Sequence, residues 1–305
     1  MPQFSVCVPA YNDVAAFARC LDSVLGQRGI TLECIVSDDS TTDDIATRVA
    51  RLADSRLVYS RNAERHGPVA NWNKAIRQAT GEFVTLLHQD DWYRSDHALR
   101  EICAIFGREG ADTLFCGRAL YEDGHCLSEY PLTLERVTGF RRRFPGRSLV
   151  VNTLGHPGVA FFANRHKDVL YDTSLLYFSD TEYFYRLIGA SGRVAVCAAP
   201  HIAVSRSATQ LSAGCVARLD ACVPQLAYAL DKHNAVALES GLALARFFAA
   251  NLRHWGKMNV SKAAHRAWTE FSLLVLVIML LSFPVFFAHM LYRAAYRRVN
   301  GKVWG

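Results

Sequence analysis

With 305 residues, 51% of them hydrophobic and 20% charged, the chain holds enough apolar material for one large core or two modest ones and too much for intrinsic disorder. Its net charge of +6 comes from acids and bases interspersed along most of the length, which is not the single basic face of a nucleic-acid binder, so no nucleic acid is expected as a partner. Nine cysteines without a CxxC pair fit reduced thiols in a core better than a disulfide framework or a zinc knuckle.

The opening MPQFSVCVPAYND lacks the basic region, long apolar stretch and cleavage site of a signal peptide, so export of the bulk of the protein is not expected. Residues 4–8 predict a short apolar strand and residues 9–13 a turn, after which Phe17, Cys20, Leu21, Val24 and Leu25 share one face of a helix. A second strand, LECIVS at 32–37, stops on Asp38 and Asp39. Residues 48–52 close a helical stretch, RLVYS at 56–60 predicts a third strand, and a glycine-containing loop at 66–68 leads into a helix over 69–78. The fourth strand, EFVTLL at 82–87, runs into His88, Gln89, Asp90 and Asp91. Residues 96–106 read as a helix behind a Ser95 cap, and DTLFCG at 112–117 as a fifth strand. Strands alternating with helices predict an α/β fold with a mostly parallel sheet covered on both faces, which binds ligands at the carboxyl ends of its strands.

Beyond residue 122 the pattern is less regular until about 201, and from 215 to 251 it becomes helical. Residues 271–292, FSLLVLVIMLLSFPVFFAHMLY, carry no formal charge. As a helix this run extends roughly 33 Å, enough to cross a bilayer core. Bases flank it on both sides and Pro284 sits near its middle, so a spanning and a re-entrant helix both stay open. The expected organisation is a catalytic domain at 1–212, a helical region at 213–268, and a membrane anchor with a basic tail at 269–305.

Adjacent carboxylates repel and hydrate, so two acids at the end of an apolar strand call for a metal ion, an arginine or a helix N-terminus. Helix capping is the plain alternative, above all in DDSTTDD. No GxGxxG turn and no P-loop are present to cradle phosphates, which leaves a carboxylate-held divalent cation as a means of binding a diphosphate. Asp180 in YFSDTEYFYRL is a further acid at a helix start, and the basic run RRRFPGR at 141–147 suits a solvated loop, a phosphate-binding lid or a patch lying on anionic lipid. Asp123, His125, His156 and His201 belong to no such pattern and read as structural.

Taken in order, SVCVPAYND, IVSDDSTTDD, RNAERHGPVANWNKAIRQATGEFVTLLHQDD and FSDTEYFYRL resemble the family-2 glycosyltransferases of GT-A fold, over roughly the first 190 to 210 residues. The resemblance implies inverting transfer of a sugar from a nucleotide-sugar donor, UDP- or another nucleoside diphosphate sugar, with Mg²⁺ or Mn²⁺ as cofactor. It places Pro9, Tyr11 and Asp39 along the nucleoside with Asp38 close by, and Asn62, Gly67 and Asn71 in a loop-and-helix motif beside the nucleotide. Asp90 and Asp91 match the end of the family's metal motif, and Asp180 falls where the family carries its catalytic base. His88 stands where that motif usually begins with an acid, which leaves it to contact phosphate or ribose and raises a rival reading, a degenerate nucleotide-sugar-binding scaffold. No QxxRW element appears, so a non-processive enzyme is expected, acting on a lipid-linked or cell-surface glycan at the cytoplasmic face of the cell membrane.

Overall fold

The computed structural model describes residues 1–142, 145–206 and 219–235. Nine strands form one sheet in the order β3-β2-β1-β4-β8-β6-β9-β5, with β7 paired to β6. In the first half the sequence pattern translates directly. The strand β1 (Phe4–Ala10) is buried along its whole length, pairs in parallel with β2 (Leu32–Asp38) and β4 (Phe83–Leu86), and β2 pairs in parallel with β3 (Leu57–Arg61). Burial on both faces is why β1, β2 and β4 read as continuous apolar runs rather than alternating ones.

Helix α1 (Val14–Leu25) covers this sheet with Phe17, Cys20, Leu21 and Val24, the three- and four-residue spacing of one helix face, and Asp13 caps it by accepting from the Ala16 N–H at 3.0 Å. After α2 (Asp44–Ala50) comes α3 (Pro68–Arg77), which begins on a proline whose missing N–H costs nothing in a first turn. The two-residue strand β5 (Trp92–Tyr93) precedes α4 (Ala98–Glu109). That helix starts two residues later than expected, because the Ser95 hydroxyl accepts from the His97 N–H at 3.0 Å and closes a turn ahead of it.

Beyond β4 the sheet is mixed, which corrects the expectation of a mostly parallel one. Strand β8 (Ala160–Ala163) runs antiparallel to β4 and to β6 (Thr113–Glu122), β7 (His125–Tyr130) folds back on β6, and β9 (Val194–Ser205) is parallel to β6 and antiparallel to β5. Insertion of the short β8 between β4 and β6 requires no crossover helix, so the alternation that signals parallel strands ends there. Further α-helices among the described residues are α5 (Leu134–Arg142), α6 (Pro145–Val150), α7 (Ser179–Ala190) and α8 (Leu219–Lys232).

Contacts divide the chain into two compact units, residues 1–143 with 152–210 and residues 144–151 with 211–305. In the second, α6 packs on α8. Among the described residues no helix is long and apolar enough to cross a membrane, and the run at 271–292 lies outside them. Of the basic run at 141–147, Arg141 lies over the Tyr185 ring at 5.0 Å, and residues 143–144 are outside the described part.

Candidate active site

Parallel register brings the carboxyl ends of β1, β2 and β4 to one edge, since Ala10 pairs with Asp38 and the Leu87 N–H donates to the Cys7 carbonyl. Everything singled out from Pro9 to Asp91 therefore emerges along that edge, and the elements differ in how the chain satisfies them.

On the β1-β2 side the polar groups are joined to one another. Buried Asp38 accepts from the Ser40 N–H at 2.9 Å and the Tyr59 hydroxyl at 2.7 Å. Asp39 accepts from Asn62 Nδ2 at 2.7 Å, from the His66 N–H at 2.9 Å and from the Gly67 N–H at 2.9 Å. The Gly67 link needs a backbone at φ +80°, in the left-handed half of conformational space that glycine enters without strain. Asn62 continues to Asn71 Oδ1 at 3.0 Å and receives the Lys74 ammonium, while Asn71 exchanges hydrogen bonds with Ser37. Pro9 is buried in β1, and Tyr11 just beyond it is exposed with its backbone clamped by Gln89, which accepts at 2.7 Å and donates at 2.9 Å; the Arg65 guanidinium lies 4.7 Å from the ring centre.

After β4 the pattern is different. Ligand atoms of His88, Asp90 and Asp91 lie within 4.8 Å of one another. Asp91 is 1% exposed, and one of its oxygens accepts from the Ser205 N–H at 3.2 Å while the other, Oδ2, is buried with no partner among the described residues. Burial, then the charge of Asp90, pushes its carboxyl well above the usual range. His88 packs its ring on Trp72 with centroids 4.6 Å apart and leaves Nε2 buried without a partner among the described residues; burial holds its imidazole below the usual range against the pull of Asp90. Two orphaned buried atoms, one a carboxylate oxygen and one an imidazole nitrogen, beside a second carboxylate fit a divalent cation, and the imidazole suits Mn²⁺ better than Mg²⁺.

Asp180 lies in the first turn of α7, and its Oδ1 is another buried oxygen without a partner among the described residues. Burial pushes its carboxyl up to about 7, against a pull from Ser179, and its charge is felt by Asp91 and by Tyr171. The helix is fastened by Arg186, which grips buried Glu182 through two bonds of 2.7 Å and the Leu170 carbonyl at 2.6 Å. His156, read from sequence as structural, stands within electrostatic reach of this cluster: burial, then His88 and Arg118, push its imidazole down to about 4. His201 faces Glu101 at 3.4 Å instead.

Three consecutive residues of α3 tie these parts together. Asn71 serves the β2 loop, Trp72 supports His88 and meets Tyr171 edge-on at 5.3 Å, and Asn73 holds both the N–H and the carbonyl of Tyr171 at 2.8 Å. Sequence reasoning missed Tyr59, Trp72, Asn73, Lys74 and Gln89, whose partners lie far along the chain; the position of Trp72 and Asn73 beside Asn71 was the one available signal.

Residues 5–173 match the family described as Glycosyl transferase family 2. Over 214 residues the chain is 30% identical to an uncharacterised protein of Mycobacterium tuberculosis, covering 66% of this chain and 65% of that one. It is 40% identical over 94 residues to the GalNAc(5)-diNAcBac-PP-undecaprenol beta-1,3-glucosyltransferase of Campylobacter jejuni, 30% of each chain. The chain thus spans between about a third and two thirds of the length of these relatives. Its fold resembles that of TarS from S. aureus, residues 1–349, with a TM-score of 0.65 at 17% identity over 99% of this chain and 93% of that one.

Proposed function

The chain belongs to glycosyltransferase family 2, and from that premise we propose that it moves a sugar from a nucleoside diphosphate donor to a hydroxyl of a lipid-linked or cell-surface glycan, inverting the anomeric carbon. The observation that carries this reading is Asp180, a half-buried carboxyl with one buried oxygen that no described residue satisfies and a pKa near 7, within reach of the charge of Asp91. In the reaction the acceptor oxygen bonds to the anomeric carbon, the bond from that carbon to the diphosphate oxygen breaks with its electron pair, and the acceptor proton passes to Asp180. A base at that position is worth about 10² to 10⁴ in rate, and a pKa near neutrality leaves it both ionised and basic enough to act.

His88, Asp90 and Asp91 would hold the cation, with Asp90 and Asp91 as carboxylate ligands. A bound Mg²⁺ or Mn²⁺ neutralises charge growing on the departing diphosphate. The linked loops of Asp38, Asp39, Asn62, Gly67 and Asn71, with Tyr11 exposed at their border, supply a preformed shelf for the nucleoside. A lipid-linked acceptor is supported by the Campylobacter relative, named for a diphospho-undecaprenol glycan, and by the uncharged run at 271–292, which we assign as an anchor at the cytoplasmic face.

Purified full-length protein in detergent, supplied with Mn²⁺ and a panel of nucleotide sugars, tests the proposal by release of nucleoside diphosphate. One donor is expected to be turned over well above the rest. Binding of a donor with no turnover in the presence of glycan acceptors favours the scaffold reading instead.

A further inference from the structure

One guanidinium beside the site has no role in the reaction above. Arg118, on β6, donates Nη1 to the Leu154 carbonyl at 2.8 Å and lies 4.8 Å from the centre of the Tyr130 ring. Among the described residues it forms no ion pair, and its charged neighbour Arg136 has the same sign. A guanidinium carries five N–H donors and never gives up its proton, so a half-buried one with a single carbonyl partner is costly until an anion joins it. The backbone is shaped around it: Gly155 sits at φ +127°, and a Cβ there would fall 2.6 Å from Nη1.

Strand order places this group on a definite side. Along the edge, β2 and β1 carry the proposed nucleoside shelf, β4 ends in His88, Asp90 and Asp91, and β8 then separates β4 from β6. Because β4 and β6 are both antiparallel to β8, Arg118 lies past the stretch of β6 that pairs with β8, at the same edge as the β4 acids. His156 lies within electrostatic reach of Arg118 as well as of His88 and Asp90. The cation cluster therefore stands between the nucleoside shelf and Arg118, and what lies beyond the diphosphate from the nucleoside is the sugar and its acceptor.

We propose that Arg118 receives a phosphate group carried by the acceptor, and so selects phosphate-bearing acceptors over neutral glycans. The inference rests on the transferase reading above. The planar fork of the guanidinium fits two phosphate oxygens at once, and Arg136 adds the second positive charge a dianion asks for.

The test uses the full chain in detergent, saturated with Mn²⁺ and UDP, and titrated with inorganic phosphate by calorimetry. Phosphate is expected to bind without displacing UDP, R118M to weaken it at least tenfold with UDP affinity within twofold of wild type, and R118K to fall between. Farnesyl diphosphate and glycerol phosphate, titrated in turn, separate a lipid-borne diphosphate from a glycan-borne phosphate by which binds more tightly. The proposal is overturned if phosphate does not bind the UDP-loaded protein, if it displaces UDP, or if folded R118M binds it as well as wild type. Should R118M fail to fold, the wild-type competition still decides the matter. Failure of UDP itself to bind would instead count against the transferase reading.

Discussion

Two acid pairs end the two strands that flank β1, and they have opposite fates. Asp38 and Asp39 are enclosed by donors of the chain itself: Ser40, Tyr59, Asn62, His66 and Gly67. Asp91, with the nearby Asp180, keeps a buried oxygen that nothing in the described chain satisfies, and burial raises both carboxyls. A buried charge without partners is expensive, so a fold keeps one only where something outside the chain completes it. The first pair shapes a loop; in the function proposed above, the second is held ready for ligand. The contrast extends to the far end of the sheet, where Asp112 just ahead of β6 is bonded by the N–H groups of Gly192 and Arg193, with His166 and Arg165 alongside, and these bonds hold its carboxyl well below the usual range.

The largest expected effect breaks the reactive side. Asp180→Asn should lower kcat by about 10² to 10⁴ while Mn²⁺-dependent nucleotide affinity stays within about threefold, as single-turnover rates and calorimetry would show. Asn73→Ala removes both bonds to the Tyr171 backbone without touching the β2 loop. A drop in kcat of roughly ten- to a hundredfold is expected, with nucleotide Kd little changed, because a small displacement near a reacting group is costly. An equal loss in kcat and nucleotide affinity would mean that α3 does not separate the two functions.

Of intermediate size is Tyr59→Phe on the satisfied side. It strips one donor from buried Asp38 and should cost about 1–3 kcal/mol in urea unfolding, with no change in the Mn²⁺ dependence of nucleotide binding.

Smallest is the pH dependence, and its sign differs between regions. Asp180 titrates near 7 when folded and near the ordinary carboxylate value when unfolded, so it costs stability progressively as pH rises from about 4 to 7. Asp180→Asn should therefore gain on wild type across that window in thermal melts. Asp112, depressed in the fold, contributes stability above about pH 4 that is lost as pH falls, so Asp112→Asn should be most harmful at neutral pH. Transfer itself should rise as pH passes through about 7, where Asp180 ionises.

The parallel half of the fold was legible because its central strands are buried on both faces and its helices keep one apolar stripe, as β1 and α1 show. Past Glu122 that grammar fails. Strand β8 is four residues, AFFA, preceded by Pro157 and Gly158 as in a loop, and β9 carries Pro200 and shifts register against Cys116 and Gly117. The acids of the site were visible as strand ends, but the sequence makes Asp38-Asp39 and Asp90-Asp91 look alike. What separates them is their partners, among them Tyr59, Asn62, His66 and Gly67 for the first pair and Ser205, more than a hundred residues on, for Asp91. Arg118 was hidden for the same reason, since Leu154 and Tyr130 meet it only in the fold.

The distinction between the two pairs is tested most directly by Asp39→Asn and Asp91→Asn side by side, each read for Tm and for the gain in nucleotide affinity that Mn²⁺ confers. Asp39→Asn is expected to lower Tm by several degrees, since an amide cannot accept from three donors as the carboxylate does, while keeping the Mn²⁺ gain. Asp91→Asn should leave Tm unchanged or higher and abolish the Mn²⁺ gain. A loss of Tm in Asp91→Asn with the Mn²⁺ gain intact would show that its buried oxygen is structural and that the cation, if one binds, is held elsewhere.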